Sequence, residues 1–164
     1  MTRSPEPDPL AVRVVAAFSA RGLTLATSES LTGGLIGASL TGVPGASDVY
    51  LGGVIGYATG MKAVLSDVPE PVLAAHGAVA EETARAMADG VRRRTGADWA
   101  VAVTGVAGPA RQEGNPPGTV WLAVSGPGRT STRRGGFQGD RAAVREATVD
   151  AALSLLLGEL GAEG

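Results

Sequence analysis

The sequence predicts a three-layer α/β/α sandwich built on a mixed sheet. Segments with apolar residues at helical spacing alternate with short apolar segments typical of buried strands, which is the pattern of parallel βαβ units. Two strands then follow each other directly near the carboxyl end, so part of the sheet is expected to be antiparallel. With 164 residues the chain is long enough to bury the core that such a fold requires.

The amino-terminal part predicts the order helix, strand, helix, strand. Residues 1–8 are polar and rich in proline, so we expect a flexible tail before a single domain over 9–160. Helical spacing of apolar residues predicts a helix over 9–21, ended by Gly22. The next predicted elements are a strand at 23–27, a small-residue helix at 31–40 and a strand at 48–57, apolar as if covered on both faces.

Charges and turn residues predict the remaining elements. Residues 59–76 indicate one or two short helices around two prolines. Acids in the first turn and arginines in the last favour a helix over 81–94, because they complement the helix dipole. There follow a buried strand at 97–105, a loop at 105–117, paired strands at 119–126 and 131–137, and a final helix over 140–160 capped by Asp140.

The composition excludes several classes of function. The sequence contains no cysteine, which rules out disulfides and thiolate chemistry, and its single histidine, His76, is expected to be structural, so we expect neither a metal nor a cofactor. A net charge of −2 gives no reason to expect nucleic acid as a partner. The amino terminus lacks the apolar segment of a signal peptide, and the uncharged run at 30–47 is too rich in glycine for a membrane span. We therefore expect a cytoplasmic protein with no membrane partner.

The stretch ATSESLTGGL (26–35) carries the first candidate for chemistry. It places hydroxyl groups, an acid and a glycine pair where the first strand gives way to a helix. Ser30 is either a helix cap, the commoner role for serine there, or a nucleophile with backbone N–H groups nearby to hold an oxyanion. Because doubly wound sheets bind ligands at the carboxyl ends of strands, this stretch and TGVAGP (104–109) should meet.

Lys62 and Tyr57 follow the second predicted strand, in a stretch that is otherwise uncharged. The lysine is either solvated at the start of a helix or folded against Ser30. In the second arrangement, desolvation lowers the lysine pKa into the range of a general base. Lys62 would then take the proton from Ser30, with the Tyr57 hydroxyl as a relay.

Two other segments have both a packing and a binding interpretation. TGVAGP lacks the GK[ST] ending of a P-loop, so it indicates either a loop shaped for packing or a site for a phosphate or amide. In GDRAAVRE (139–146), Asp140, Arg141 and Arg145 lie on the first turns of the final helix. They form a cap and an exposed face, or an arginine there reaches a ligand phosphate.

Several longer motifs resemble one known family. In chain order they are TSESLTGGL, PGASDVYLGGVIGYATGMK, HGAVAEETARAMADG, GADWAVAVTGVAGP, PPGTVWLAV and FQGDRAAVREATVDAAL. Over residues 9–160 they resemble the CinA carboxy-terminal domain family, which includes the PncC-type nicotinamide-nucleotide amidohydrolases. The resemblance implies an α/β/α fold and metal-free hydrolysis of nicotinamide mononucleotide to nicotinate mononucleotide and ammonia. It also implies a homodimer, in a stand-alone form without the additional amino-terminal domain of larger relatives.

The resemblance extends to individual site residues. The serine of the family's ES-x-TGG motif falls on Ser30, and its tyrosine and lysine fall on Tyr57 and Lys62. The resemblance therefore implies attack by Ser30, assisted by Lys62 and Tyr57, through an acyl-enzyme. The residues expected to bind the nucleotide are Thr32, Gly33, Gly34, Thr104, Gly105, Gly108, Arg111, Arg141 and Arg145.

The sequence departs from the family at three places. Leu31 stands where the family usually has cysteine, and Thr59-Gly60 replace its usual Asn-Glu. ARQEGNPPG (110–118) lacks the double glycine and the lysine that normally precede P-x-G-T. Either Arg111 substitutes for that lysine or the protein binds another ligand. The alternatives are therefore a hydrolase of another small amide and a ligand-binding or regulatory protein without turnover.

Overall fold

The computed structural model describes residues 6–163, so residues 1–5 of the expected tail lie outside the described residues. The helices are α1 (Pro9–Arg21), α2 (Leu35–Thr41), α3 (Thr59–Ser66), α4 (Glu70–His76), α5 (Glu81–Thr95) and α6 (Arg141–Ala162). The strands are β1 (Leu25–Glu29), β2 (Tyr50–Ile55), β3 (Trp99–Gly105), β4 (Thr119–Gly126) and β5 (Arg129–Gly136). A short 3₁₀ turn, Ala46–Asp48, precedes β2.

The five strands form one mixed sheet in the order β2-β1-β3-β4-β5. β1 is parallel to both β2 and β3, while β4 is antiparallel to β3 and β5. The predicted mixed sheet is therefore confirmed. Since β1 and β3 are parallel neighbours, the segments that follow them leave the sheet at the same end, where the carboxyl ends of both strands lie.

Helices cover both faces of the sheet and give the predicted α/β/α sandwich. On one face, α1, α2 and α6 enclose the larger core, whose fully buried members include Phe18, Leu25, Leu122 and Leu156. On the other face, α5 packs with Met87 and Ala84 over the small side chains of β3 and β4. The small residues there allow α5 to lie close to the sheet, with α3 and α4 beside it.

The helix ends predicted at Gly22 and Asp140 are confirmed, and the structure adds a cap at Asp8, a residue of the expected tail. Asp8 accepts a hydrogen bond from the Leu10 N–H at the start of α1, and Gly22 ends that helix with a left-handed φ of 64°. The Asp140 carboxylate accepts the Ala143 N–H at the start of α6, as predicted. Residues 59–76 form two helices, α3 and α4, which confirms one of the two expected arrangements.

The prediction for β2 is wrong in two respects. The strand is shorter than 48–57, because residues 46–48 form the 3₁₀ turn. It is also not covered on both faces: β2 lies at the edge of the sheet, where Leu51 and Ile55 are 51% and 49% exposed. Its apolar composition therefore does not reflect burial within this chain.

The helix predicted over 31–40 begins later, at Leu35, and β1 continues to Glu29 rather than ending at residue 27. Residues 31–34 form turns that carry the chain from the sheet to α2. Among residues 6–163, no helix is long and apolar enough to cross a lipid bilayer.

Candidate active site

A cavity of about 310 Å³ opens where β1 and β3 end, so the stretches 26–35 and 104–109 meet as predicted. Such a volume is at the small end of the range for ligand-binding pockets. Its lining residues are Ser30, Leu31, Tyr57, Lys62, Ala78, Thr104, Gly105, Val106, Ala107, Gly108, Pro109, Ala110, Arg111, Gln112 and Arg141.

Lys62 and Ser30 are in direct contact in this cavity. The Lys62 Nζ donates to Ser30 Oγ at 3.0 Å and to the Gly56 carbonyl at 2.8 Å, and it reaches the Tyr57 carbonyl at 3.5 Å. Only 1% of Lys62 is exposed, so the interpretation of a solvated lysine is wrong. The first turn of α3 carries the lysine back under the end of β2, where it points at the serine.

Burial changes the acid–base chemistry of Lys62. Desolvation lowers the pKa of its ammonium group to about 8, and the negative charge of Glu113 acts in the opposite direction. Near pH 8 the neutral amine is therefore well populated. A neutral amine at 3.0 Å from a hydroxyl is placed to accept its proton.

The buried carboxylate of Glu29 shapes the turn that follows Ser30. It accepts hydrogen bonds from the Thr32 hydroxyl at 2.7 Å and from the N–H groups of Gly34, Ile36 and Gly37 at 2.9–3.2 Å. Glu29 therefore caps α2, and the interpretation of Ser30 as the cap is wrong. No local signal in the sequence indicates this role of Glu29, because the residue lies six positions before Leu35, where α2 begins.

Two backbone donors follow Ser30 directly. The Ser30 N–H donates to the Val103 carbonyl at 3.1 Å, whereas the N–H groups of Leu31 and Thr32 have no acceptor within residues 6–163. Arg145 fixes the same turn, because its guanidinium donates to the carbonyls of Leu31 and Thr32 at 3.0 and 3.1 Å. The Leu31 and Thr32 N–H groups are therefore candidates for holding an oxyanion that forms at Ser30.

Arg141 joins two sides of the cavity mouth. It donates to the Tyr57 hydroxyl and to the Gly108 carbonyl, each at 2.7 Å. The Tyr57 side chain is 60% exposed, and within residues 6–163 its hydroxyl makes no hydrogen bond to Lys62 or Ser30. A proton relay through Tyr57 therefore stays a prediction.

The other predicted site residues divide into two groups. Thr104, Gly105, Gly108 and Arg111 line the cavity. The Thr104 hydroxyl donates to the Ala78 carbonyl at 2.6 Å, and Arg111 donates to the Gly114 carbonyl at 3.1 Å. Four residues lie in or against the turn after β1 rather than in the lining: Thr32, Gly33, Gly34 and Arg145. Their part in substrate binding stays a prediction.

Across residues 6–163, the side chains of histidine, aspartate and glutamate form no group of three that would hold a metal ion. His76 is exposed at the end of α4, where its Nδ1 lies 3.6 Å from a Glu82 carboxylate oxygen.

Comparison with known protein families shows to which family the chain belongs. The sequence model of the CinA C-terminal domain matches residues 7–160. The chain belongs to the CinA C-terminal domain family. The resemblance seen in the motifs and the fold that it implied are thereby confirmed.

Curated relatives in the CinA C-terminal domain family carry general names. A CinA-like protein of Anaeromyxobacter sp. (strain Fw109-5) is 48% identical over 144 residues, covering 87% of this chain and 35% of the relative. A putative competence-damage inducible protein of Desulforamulus reducens is 49% identical over 134 residues, covering 82% and 33%. The chain thus spans about a third of the length of the curated relatives that it matches.

Solved structures of the CinA superfamily match the fold over nearly their whole length. A CinA superfamily protein from Klebsiella pneumoniae 700603 superposes with a TM-score of 0.90 at 38% identity, covering 93% of this chain and 96% of the other. The competence/damage inducible protein CihA from Agrobacterium tumefaciens gives a TM-score of 0.91 at 36% identity, covering 98% and 99%.

Proposed function

We propose that this chain is an amidohydrolase that converts nicotinamide mononucleotide to nicotinate mononucleotide and ammonia. The observation that carries the proposal is the contact of 3.0 Å between the buried Lys62 amine and the Ser30 hydroxyl, in a cavity at the carboxyl ends of the strands. Membership of the CinA C-terminal domain family is consistent with this activity. A cytoplasmic location and a homodimer remain parts of the proposal.

The acylation step uses the groups already described. Neutral Lys62 takes the proton of Ser30 as Ser30 Oγ bonds to the carboxamide carbon, and the oxyanion accepts hydrogen bonds from the Leu31 and Thr32 N–H groups. Lys62 then returns the proton to the amide nitrogen, the C–N bond breaks, and ammonia leaves. The product of this step is an ester between Ser30 and the nicotinoyl group.

Deacylation repeats the proton transfers with water. A water molecule gives one proton to Lys62 while its oxygen attacks the ester carbon, and the Ser30 oxygen regains a proton from Lys62 as the C–O bond breaks. Nicotinate mononucleotide leaves as the carboxylate. No metal takes part in either step.

Positive charge at the cavity mouth supports a substrate that carries a phosphate. Arg141 and Arg111 both line the cavity, and guanidinium groups bind phosphate oxygens in pairs. Arg141 is held by neutral acceptors, Tyr57 and Gly108, so a phosphate would bind it more strongly than its present partners.

A second candidate, hydrolysis of another small amide, is favoured by the loop at 110–118. This loop lacks the glycine pair and the lysine usual in the family, so the side of the cavity that meets the non-reacting end of the substrate is altered. The Ser30–Lys62 chemistry would be the same. The difference would lie in which amide binds.

Ammonia release by the purified protein tests the proposal. We expect release from nicotinamide mononucleotide with Ser30→Ala as the inactive control, and we expect EDTA to leave the rate unchanged. Turnover of other amides alone would favour the second candidate. Tight binding of the mononucleotide without ammonia would instead indicate a ligand-binding or regulatory protein. Loss of activity in EDTA that a divalent ion restores would contradict the metal-free mechanism.

A further inference from the structure

Residues 110–117, which we call the strap, form one wall of the cavity. Ala110, Arg111 and Gln112 line it directly. The strap turns tightly at its centre, where the backbone groups of Gln112 and Asn115 exchange hydrogen bonds of 3.1 and 2.8 Å. Glu113 is the first residue inside this turn, and no local pattern in the sequence indicates a role for it.

Glu113 attaches the strap to a distant segment through its side chain. One carboxylate oxygen accepts the Ala78 N–H at 2.8 Å, and the other accepts the Val79 N–H at 3.0 Å. Both donors are buried, and they follow α4. Charge-assisted bonds to two successive backbone donors hold the carboxylate in one orientation.

The backbone on both sides is adapted to this contact. Glu113 has a φ of 52°, in the left-handed region that residues with a Cβ disfavour. Gly77 has a φ of 77°, and a Cβ at that position would lie 2.6–2.9 Å from the atoms of the Glu113 carboxyl group. Only glycine there lets the carboxylate approach Ala78 and Val79.

The same contact connects the strap to the strand that carries the site. Ala78 lines the cavity, and its carbonyl accepts the Thr104 hydroxyl near the end of β3 at 2.6 Å. The strap, the segment 77–79 and the end of β3 are therefore joined through Ala78. A change at Glu113 would loosen a wall of the cavity without touching Ser30.

Glu113 also contributes a charge that acts on Lys62. Its negative charge opposes the effect of burial and raises the lysine pKa toward the usual value. Besides Lys62, the ionisable residues that line the cavity are Tyr57, Arg111 and Arg141, and Glu113 lies behind this lining. The Glu29 carboxylate behind the turn is already bonded to the donors of residues 32–37.

We propose that Glu113 is a positioning residue of this site: its carboxylate fastens the strap to Ala78 and Val79 and thereby fixes the place from which its negative charge acts on Lys62. The inference rests on the proposed amidohydrolase function for its kinetic consequence alone. The fastening and the charge effect are properties of the folded chain and are measurable without turnover.

The first test uses hydrogen exchange and three variants. In the wild-type protein the Ala78 and Val79 amides should exchange slowly, and Glu113→Ala should speed both by about tenfold or more. Glu113→Gly should do the same while relieving the left-handed backbone, so it separates fastening from strain. The matched control, Glu82→Gln, removes a surface carboxylate that pairs with His76 and should leave both amides protected.

The second test measures how the negative charge of Glu113 affects the titration of Lys62. Lys62 is the only lysine in the sequence, so the NMR signal of its side chain is unambiguous. We expect a titration midpoint near pH 8 in the wild type, a lower midpoint in Glu113→Gln, and an unchanged midpoint in Glu82→Gln. A merely structural residue would not move this midpoint.

Kinetics complete the design. The rise of kcat/KM with pH should move to lower pH in Glu113→Gln, and Glu113→Ala should raise KM more than it lowers kcat. Fast exchange of both amides in the wild-type protein, or an unshifted Lys62 midpoint in Glu113→Gln, would overturn the proposal. Protected amides and a shifted midpoint in a protein that never releases ammonia would support the role of Glu113 and refute the proposed function alone.

Discussion

Ser30 and Lys62 share a single hydrogen bond, and the proposed mechanism needs both at once. Ser30→Ala and Lys62→Ala should each lower the rate by at least about 10²–10⁴, and the double variant should be hardly worse than either, because members of a catalytic unit are not additive. Steady-state kinetics on nicotinamide mononucleotide measure this. Tyr57→Phe should cost less, since its hydroxyl contacts Arg141 rather than the pair.

The stability of the same variants provides the control. Glu29, and not Ser30, caps α2, so Ser30→Ala should not show the loss of about 1 kcal/mol that follows removal of a capping hydroxyl. Its melting temperature should stay close to that of the wild type. A folded Ser30→Ala protein with full activity would end the nucleophile hypothesis.

The lowered pKa of Lys62 predicts how the free energy of unfolding changes with pH. The pKa of Lys62 is about 8 in the folded chain, against the ordinary lysine value of 10.5 that applies to the unfolded chain. Between pH 8 and pH 10.5 the unfolded state therefore binds more protons than the folded state. The free energy of unfolding should therefore rise with pH in this window, relative to Lys62→Met, and be flat below it. Urea titrations of both proteins between pH 7 and 10.5 check this. A difference that does not change with pH would mean that Lys62 keeps its ordinary pKa.

At the scale of elements, the turn before α2 depends on one carboxylate. Glu29→Gln keeps the shape of the side chain but replaces an acceptor oxygen by an amino group that faces backbone donors. We expect unfolding free energy to fall by about 1–3 kcal/mol, because buried donors lose their partner. We also expect kcat to fall, since the turn holds the Leu31 and Thr32 N–H groups. Equal stability of Glu29→Gln and wild type in urea would contradict this account.

The strap is the element expected to control affinity. Restoring the usual glycine pair and lysine, as Ala110→Gly, Arg111→Gly and Asn115→Lys together, should lower KM with little change in kcat, as expected for uniform binding. The variant retains Glu113 and hence the attachment to Ala78 and Val79. Asn115→Gln is the uncharged control. A changed kcat at constant KM would place the strap in the chemical step.

Elements with local signals were predictable from the sequence. α1 and α6 begin at acids that cap them, and α5 carries its acids and arginines at the ends that its dipole favours. The start of α2 was not predictable, because it depends on the Glu29 carboxylate accepting hydrogen bonds from backbone N–H groups as far along the chain as Gly37, eight residues later. The open face of β2 was not predictable either, since apolar composition does not tell an edge strand from a central one.

The residues of the candidate active site also differ in how far the sequence predicts them. The position of Ser30 at the end of β1 follows from the fold, and its motif selected it. The burial of Lys62 depends on how α3 returns under β2, which no local pattern specifies. The contact of Glu113 with Ala78 joins segments 35 residues apart, so only the folded chain reveals it.

For the whole molecule, the expected homodimer stays a prediction. Among residues 6–163, five of the six exposed large apolar side chains lie between residues 51 and 64, on β2, on α3 and between them. We expect the dimer to bury these side chains, because apolar surface that is rimmed by polar residues often marks a protein–protein interface. Light scattering of the wild-type protein should give a mass twice that of one chain, which is 16.3 kDa. The Leu51→Glu variant should give the mass of a single chain. A wild-type protein that stays at one chain mass at high concentration would refute the dimer.

The two edges of the sheet limit how copies of this chain can join. β5 exposes Arg129, Arg133 and Arg134, and Arg85 already donates to the Thr130 carbonyl of that strand. A second strand added there would bring like charges together and would have to displace this bond. We therefore expect the homodimer, if it forms through the sheet, to use the β2 edge of both copies. Two copies that meet through the same edge would leave no such edge for a third, so this assembly would close at a pair and would not propagate into a filament.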